Sequence, residues 1–218
     1  MLNLFIENHQ FNNINHQAHL IVNACKNSFN NDVILAAKFS GLEKIKDQFK
    51  ELSKSESKVL EQIIQIDSSD SCENFLNEVE KYRKDIKKIS EKELKKSFPK
   101  RKKISIPNYL INSTNKISFF SWDDLGYKKR FLLYQLNGEY IGIEGTYSSI
   151  SHNSFCSFCR MKNKVHLVAF LSKAKSSNPD YYKTISQYIC LDIEKCNAQI
   201  KDLSHLEDLF YELLKNDL

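Results

Sequence analysis

The chain has 218 residues, of which 41% are hydrophobic and 27% charged, a composition typical of a globular protein rather than a disordered one. Its length suits two domains of ordinary size, and its net charge of +5 is too small to indicate nucleic-acid binding alone. No stretch has the ~18 consecutive apolar residues of a spanning helix, and residues 1–13 lack the pattern of a signal peptide. We therefore expect a cytoplasmic protein with no membrane partner.

Residues 1–88 are predicted to form an antiparallel bundle of four helices. Apolar residues recur at three- and four-residue spacing, which places them on one side of each helix. The four stripes are Phe11, Ile14, Ala18, Ile21, Cys25 and Phe29; Leu35, Leu42, Ile45, Phe49 and Leu52; Val59, Leu60, Ile63 and Ile64; and Phe75, Leu76, Val79, Tyr82 and Ile86. Asp70 and Glu73 have capping-box spacing, which predicts that the fourth helix starts there.

A basic segment, residues 87–103, follows the predicted bundle and contains nine Lys or Arg residues against two Glu. Ser90 and Glu93 have the spacing of another capping box, so a short helix should begin here and end before Pro99. The segment is either a patch that contacts RNA phosphates or the solvated face of a helix. Aromatic residues interleaved with the charges would favour RNA, and Phe98 is the only one.

A β-hairpin is the clearest local prediction in the second half of the chain. Residues 117–122 are rich in β-forming side chains, and residues 131–136 and 139–143 flank the pair Asn137-Gly138. A type I′ turn needs positive φ at both central residues, so an Asn-Gly pair between two such runs is a strong hairpin signal.

A second hairpin is predicted from residues 165–171 and 181–189, which are joined by a polar loop. Ser204 and Glu207 predict the start of a last helix. Its apolar positions are Leu206, Leu209, Phe210, Leu213 and Leu214. These elements predict an α/β domain over residues 89–218, so the fold class of the whole chain is α+β.

Four of the six cysteines have the arrangement of a metal site. Cys156 and Cys159 are separated by two residues, as on a zinc knuckle, and Cys190 and Cys196 supply a second pair after the second hairpin. The alternatives are cysteines packed in a core and a redox dithiol. Because thiols in a reducing compartment ligate metal more readily than they form disulfides, we predict one structural zinc ion. Four thiolates leave no open position on the metal, so we predict no enzyme activity.

No other motif indicates catalysis, since the sequence lacks a glycine-rich phosphate loop, an HExxH motif and a GxSxG motif. Cys25 and Cys72 have no Cys or His nearby at ligand spacing, and we interpret them as small buried hydrophobes. His16 and His19 lack a carboxylate partner at matching spacing, so we interpret them as solvated or packed side chains.

An ordered series of motifs then suggests a family. These motifs are SFFSWDDL, KKRFLLY, GIEGTYSSIS, FCSFC, HLVAFLSKAK and YICLDIEKCN. In them the chain resembles the FusB-type elongation factor G-binding proteins, a family known for fusidic acid resistance. The resemblance implies an N-terminal helical bundle, residues 1–88, and a C-terminal α/β domain, residues 89–218. The second domain would carry a treble-clef-like zinc finger whose ligands lie within residues 156–196.

The resemblance also implies a function. Family members bind the C-terminal domains of elongation factor G, which fusidic acid traps on the ribosome together with GDP. They promote release of the factor so that translation resumes, and the ribosome-bound complex is a transient partner. The alternative is an RNA- or ribosome-binding zinc module that uses residues 87–103; in the first hypothesis nucleic-acid contact is secondary.

The resemblance implies partner contacts beside the zinc ligands, which match the four cysteines. The aromatic residue before the first ligand is Phe155, and the tyrosine two residues before the third ligand is Tyr188. Metal binding would fix the backbone that presents both rings, as suits residues at the centre of an interface. The alternative is that both rings pack within the small zinc core.

Two further implied contacts are less direct. A contact phenylalanine on the last helix of the family corresponds to Leu209 or its neighbour Phe210. The family's contact lysine is replaced by Ile185 in this sequence. Lys183 lies two residues away, on the same side of a strand, and is the predicted substitute.

Overall fold

The computed structural model describes residues 3–99, 101, 103–108, 116–173 and 182–214. The chain forms two compact units, Met1–Lys84 and Asp85–Leu218, which we call the N-terminal and C-terminal units. In the described ranges no helix has the length and apolar character needed to cross a membrane. Lys100, Lys102 and the start of the second predicted hairpin strand, residue 181, lie outside the described residues.

The N-terminal unit is helical, as predicted. Its helices are α1 (Asn8–Asn27), α2 (Asn31–Lys46), α3 (Lys54–Glu61), a 3-10 turn (Gln62–Gln65) and α4 (Ser69–Glu80). The predicted apolar stripes supply most of one core, which includes Ile14, Ala18, Ile21, Ile45, Leu60, Ile63, Phe75 and Val79. Cys72 is buried in this core, as predicted, and Cys25 packs against it.

Several helix boundaries differ from the prediction. α2 ends at Lys46, before Phe49 and Leu52, and α4 ends at Glu80, before Tyr82 and Ile86. Phe29, assigned to the first stripe, is fully exposed, because α1 ends at Asn27 and the Asn30 side chain caps α2. α4 is capped by Ser68, whose hydroxyl accepts a hydrogen bond from the Ser71 backbone. The predicted capping residue Asp70 instead lies in the first turn, where its charge complements the helix dipole.

The C-terminal unit begins with α5 (Glu91–Ser97), which has the predicted capping box. The Ser90 N–H donates to Glu93 Oε2 at 2.9 Å, and the Glu93 N–H donates to Ser90 Oγ at 3.2 Å. Hydrogen bonding from the backbone and then the hydroxyl of Ser90 lowers the pKa of Glu93 to about 2. The carboxylate therefore stays ionised at neutral pH and keeps the helix start in place.

A five-stranded antiparallel meander follows, with its strands in chain order. The strands are β1 (Phe120–Asp124), β2 (Lys129–Leu136), β3 (Glu139–Phe155), β4 (Lys162–Lys173) and β5 (Tyr182–Cys190). Both predicted hairpins are present, and Asn137 and Gly138 make the tight turn with φ values of 51° and 86°. The unit ends with α6 (Ile193–Gln199) and α7 (Ser204–Leu214), the latter at the predicted position.

The sheet has an apolar core on each face. On the first, the α7 face, strand residues pack against α7; this core includes Leu132, Tyr134, Val168, Phe170, Ile185, Leu206, Leu209 and Phe210. On the second, the α5 face, alternate residues pack against α5; this core includes Leu94, Phe98, Trp122, Phe131, Leu133 and Tyr140. A Cβ on Gly142 would lie 2.3 Å from Phe98 Cζ, so only glycine fits beneath that ring.

Candidate metal centre and partner surface

The four predicted cysteine ligands meet at one end of the sheet. Cys156 and Cys159 lie on the knuckle between β3 and β4, Cys190 ends β5, and Cys196 lies on α6. All four Sγ atoms lie within 4.8 Å of one another and are buried. The Cys156–Cys196 and Cys159–Cys190 separations are 3.8 and 3.7 Å, close to the edge of about 3.8 Å for a tetrahedron with Zn–S bonds of ~2.3 Å. The cluster therefore has the dimensions of a four-thiolate zinc site.

The electrostatics of the cluster favour a bound cation. Hydrogen bonds from the neighbouring thiols, that of Cys159 first, lower the pKa of Cys156. The closeness of Cys156 and its neighbours raises the pKa of Cys196, which is also deeply buried. Four thiols this close cannot all ionise in a buried space unless a positive charge lies among them. A divalent metal ion supplies that charge, and softness and geometry favour zinc.

The knuckle is held by backbone hydrogen bonds. The Cys156 N–H donates to the carbonyl of Met161 at 3.0 Å, and the Arg160 N–H donates to the carbonyl of Cys156 at 3.0 Å. Arg160 adopts a left-handed conformation, with φ of 61°, to close this turn. The Ser157 N–H donates to the carbonyl of Tyr188 at 2.7 Å, which ties the knuckle to β5.

A buried amide supports the metal ligands from outside. Asn163 Nδ2 lies 3.7 Å from Cys159 Sγ and 3.5 Å from Cys190 Sγ, and it donates to Gln199 Oε1 at 2.7 Å. An N–H that points at thiolates stabilises their negative charge and fixes their orientation. Sequence reasoning missed this residue, because an asparagine four positions after Cys159 has no distinctive pattern.

A buried ion pair also reaches the metal site. Arg130 is 1% exposed, and its Nε and Nη2 each donate to a carboxylate oxygen of Asp123 at 2.7 Å. Its Nη1 donates to the backbone carbonyl of Cys190, so β1 and β2 help position the third zinc ligand. The sequence does carry one signal, since Arg130 is in phase with the buried residues Leu132 and Tyr134 on its strand.

The two aromatic residues beside the zinc ligands are on the surface. The side chain of Phe155 is 66% exposed and that of Tyr188 is 37% exposed, so neither is confined to the zinc core. Phe155 pairs with Lys162, and Tyr188 pairs with Leu167, an odd number of residues away on β4. Strand alternation therefore assigns the two rings to opposite sides of the sheet. A partner that contacts both rings therefore has to cover the end of the sheet that carries the knuckle, which we call the finger tip.

The structure places the predicted contacts on α7 in the core. Leu209 and Phe210 are 2% and 0% exposed and pack against the α7 face of the sheet. Their burial is at odds with direct partner contact, because each would have to leave a filled core position. Tyr211 is the exposed aromatic residue next to them. The helical period already marked Leu209 and Phe210 as part of the apolar stripe.

The predicted substitute lysine is remote from the finger. Lys183 pairs with Ser172 near the far end of β4, and its Nζ lies 2.5 Å from Glu212 Oε1 on α7. Ile185, which replaces the family lysine, is buried on the α7 face. Lys183 is therefore exposed but paired within the chain, and neither Lys183 nor Ile185 offers an unpaired charge.

Three of the seven described cations of the basic segment make ion pairs within the C-terminal unit. Lys87 lies 3.4 Å from Glu93, and Lys96 lies 3.2 Å from Glu139. Arg101 binds the two carboxylate oxygens of Glu144 at 2.6 and 2.8 Å. These pairs favour the solvated-face interpretation of residues 87–103 over a phosphate-binding patch.

Comparisons with known proteins agree with this architecture. Residues 5–87 match a family model described as elongation factor G-binding protein, N-terminal, and residues 94–211 match one described as FBP C-terminal treble-clef zinc-finger. A solved structure of the fusidic acid resistance protein FusC is similar, with a TM-score of 0.76 and 25% identity over 98% of this chain and 97% of that one. No curated protein sequence matches at a significant level. The resemblance, the α+β fold class and the structural zinc predicted from the sequence are confirmed.

Proposed function

The chain belongs to the family of elongation factor G-binding proteins with a C-terminal treble-clef zinc finger, and from that premise we propose that it binds elongation factor G. We further propose that binding promotes release of the factor from ribosomes stalled by fusidic acid, which gives resistance or rescues translation. The protein would act in the cytoplasm and meet the ribosome-bound complex transiently. The observation that carries the proposal is the exposed ring of Phe155, which directly precedes a buried zinc ligand.

The zinc finger suits a binding role because it holds its surface rigidly. Phe155 precedes Cys156, and the hydrogen bond from Ser157 to the Tyr188 carbonyl connects both aromatic residues to one metal-bound turn. Binding energy at protein interfaces is concentrated in a few residues, often aromatic ones held in place. A ring presented by a metal-bound turn loses little conformational freedom on binding, which favours affinity.

The chemistry is that of binding rather than catalysis. The four cysteines fill the coordination sphere of zinc and leave no position for a substrate or a reactive water. Release of the factor then requires differential affinity, because a ligand shifts an equilibrium only towards the state that it binds more tightly. The chain should therefore bind a conformation of elongation factor G that the stalled ribosome does not hold.

Replacement of Phe155 by alanine tests this proposal. We expect the rate at which labelled elongation factor G leaves fusidic acid-stalled ribosomes to rise with added wild-type protein. Loss of a central aromatic contact costs about 2 kcal/mol or more, so F155A should need at least about 30-fold more protein for the same effect. Because Phe155 is exposed, the variant should fold and retain zinc.

The matched control is Leu171→Ala. Leu171 has the same 66% exposure as Phe155 but lies on β4 far from the knuckle, opposite Thr184. We expect L171A to act like the wild type. If F155A and the wild type are equally active, the finger tip is not the contact. If neither the wild type nor a variant accelerates the departure of elongation factor G from stalled ribosomes, the proposed release step is contradicted.

A further inference from the structure

Two lysines border the exposed ring of Phe155. Lys162 lies directly opposite Phe155 in the β3–β4 pairing, and Lys164 lies opposite Asn153. Directly opposed residues of an antiparallel pair have their side chains on the same face, and so do residues two apart on one strand. Phe155, Lys162 and Lys164 therefore share one side of the finger, and all three are exposed.

Both lysines are without an ion pair among the residues that the structure describes. Neither Lys162 nor Lys164 has a carboxylate within ion-pair distance in the part of the chain that the structure describes, whereas Lys183 is paired with Glu212. A lysine held by an internal carboxylate contributes less positive potential to a partner. Lys162 and Lys164 on β4 therefore supply available positive charge near the finger tip.

We propose that Lys162 and Lys164 form a basic rim beside Phe155 that binds an acidic patch on elongation factor G. The inference rests on the proposed function and identifies the electrostatic part of the same contact. Ile185 cannot provide that part because its side chain carries no charge and is buried on the α7 face. The rim supplies it from a neighbouring strand, next to the apolar ring that anchors the partner.

The chain's membership of the elongation factor G-binding family favours an acidic protein over a nucleic acid as the partner of this mixed surface. The exposed Met161 of the knuckle directly precedes Lys162, the residue paired with Phe155, so apolar and charged side chains are interspersed over a few residues. An apolar centre with a charged border is the usual anatomy of a protein interface. Rim charges act mainly by steering the encounter, so they govern the association rate and its dependence on salt.

The charge-reversal variant Lys162→Glu/Lys164→Glu tests the rim. We expect its association rate constant with purified elongation factor G to fall by about tenfold or more at low ionic strength, with a much smaller change in dissociation rate. The salt dependence of association should become shallower than that of the wild type. The conservative pair Lys162→Arg/Lys164→Arg should keep wild-type rates, and zinc content should confirm that both variants fold.

The control carries the same change in net charge elsewhere in the unit. Lys88 and Lys92 are exposed members of the basic segment, and Lys88→Glu/Lys92→Glu should leave the association rate within about twofold of wild type. An equal loss of association rate in both charge-reversal variants would overturn the proposed rim, because net charge alone would then explain the effect. Unchanged rates in the Lys162/Lys164 variant would overturn it while leaving the proposed function intact.

Two other outcomes separate the rim from its alternatives. Failure of the wild type itself to bind the factor would contradict the proposed function rather than the rim alone. A ribosomal RNA fragment serves as the nucleic-acid probe. Loss of RNA binding by the Lys162/Lys164 variant, with factor binding unchanged, would overturn the inference and assign the lysines to RNA.

Discussion

Removal of zinc is expected to unfold the C-terminal unit while the N-terminal helices remain folded. The four ligands come from the knuckle, β5 and α6, so the metal joins three segments of the chain at this end of the sheet. Apparent binding free energies of structural zinc sites are about 10–16 kcal/mol, comparable with or larger than the ~5–15 kcal/mol stability of a domain. The helical core contains none of the four ligands.

The sequence offers a selective probe of this event. Trp122 is the only tryptophan; it is buried in the C-terminal unit and stacks on Phe131 with ring centroids 5.3 Å apart. Its fluorescence should shift to that of exposed tryptophan on chelation, while the helical circular dichroism signal of the N-terminal unit persists. Cys196→Ser should produce the same shift and bind less than one zinc per chain.

Cys25→Ser makes the same chemical change at a cysteine outside the cluster. It should keep about one zinc ion per chain and native Trp122 emission. If the chelated wild-type protein keeps native Trp122 emission and a cooperative unfolding transition, the zinc is not structural and the account of the finger is wrong.

Asp123→Ala should have the second largest effect on stability. It leaves the guanidinium of Arg130, 1% exposed, without its carboxylate partner. Removal of one member of a buried ion pair typically costs about 3–5 kcal/mol, because the remaining charge is buried and uncompensated. Urea unfolding followed by Trp122 fluorescence should show a loss of this size in the C-terminal unit.

The double variant Asp123→Ala/Arg130→Met separates charge burial from general damage. It removes both charges and should recover a large part of the lost stability, although the hydrogen bond to the Cys190 carbonyl is absent. The exposed pair Lys96–Glu139 is the control, and its removal should cost no more than about 1 kcal/mol. A double variant less stable than Asp123→Ala would contradict the electrostatic explanation.

Local chemistry explains which features the sequence could predict. The Asn137-Gly138 turn and the Ser90 capping box depend on neighbouring residues, and both are present as predicted. The cysteine pairs were recognisable because metal ligands on a knuckle have a fixed spacing. In each case the signal lies within a few residues of the structure that it specifies.

Features made by distant segments were not predictable in the same way. Arg130 is hydrogen-bonded to Cys190, 60 residues away, and Asn163 is hydrogen-bonded to Gln199, 36 residues away, so neither contact has a local sequence pattern. The resemblance to a family transfers a position but not its burial, so Leu209, an implied partner contact, lies in the core. The register of β3 with β4, which brings Lys162 beside Phe155, likewise emerges only from the folded sheet.

The most direct test is the binding of zinc-loaded wild-type protein to purified elongation factor G, measured by titration calorimetry and co-elution. The account predicts a one-to-one complex that forms at micromolar or lower concentration and is lost when zinc is chelated. Absence of a complex at micromolar concentrations, with folded protein that carries zinc, would contradict the central claim.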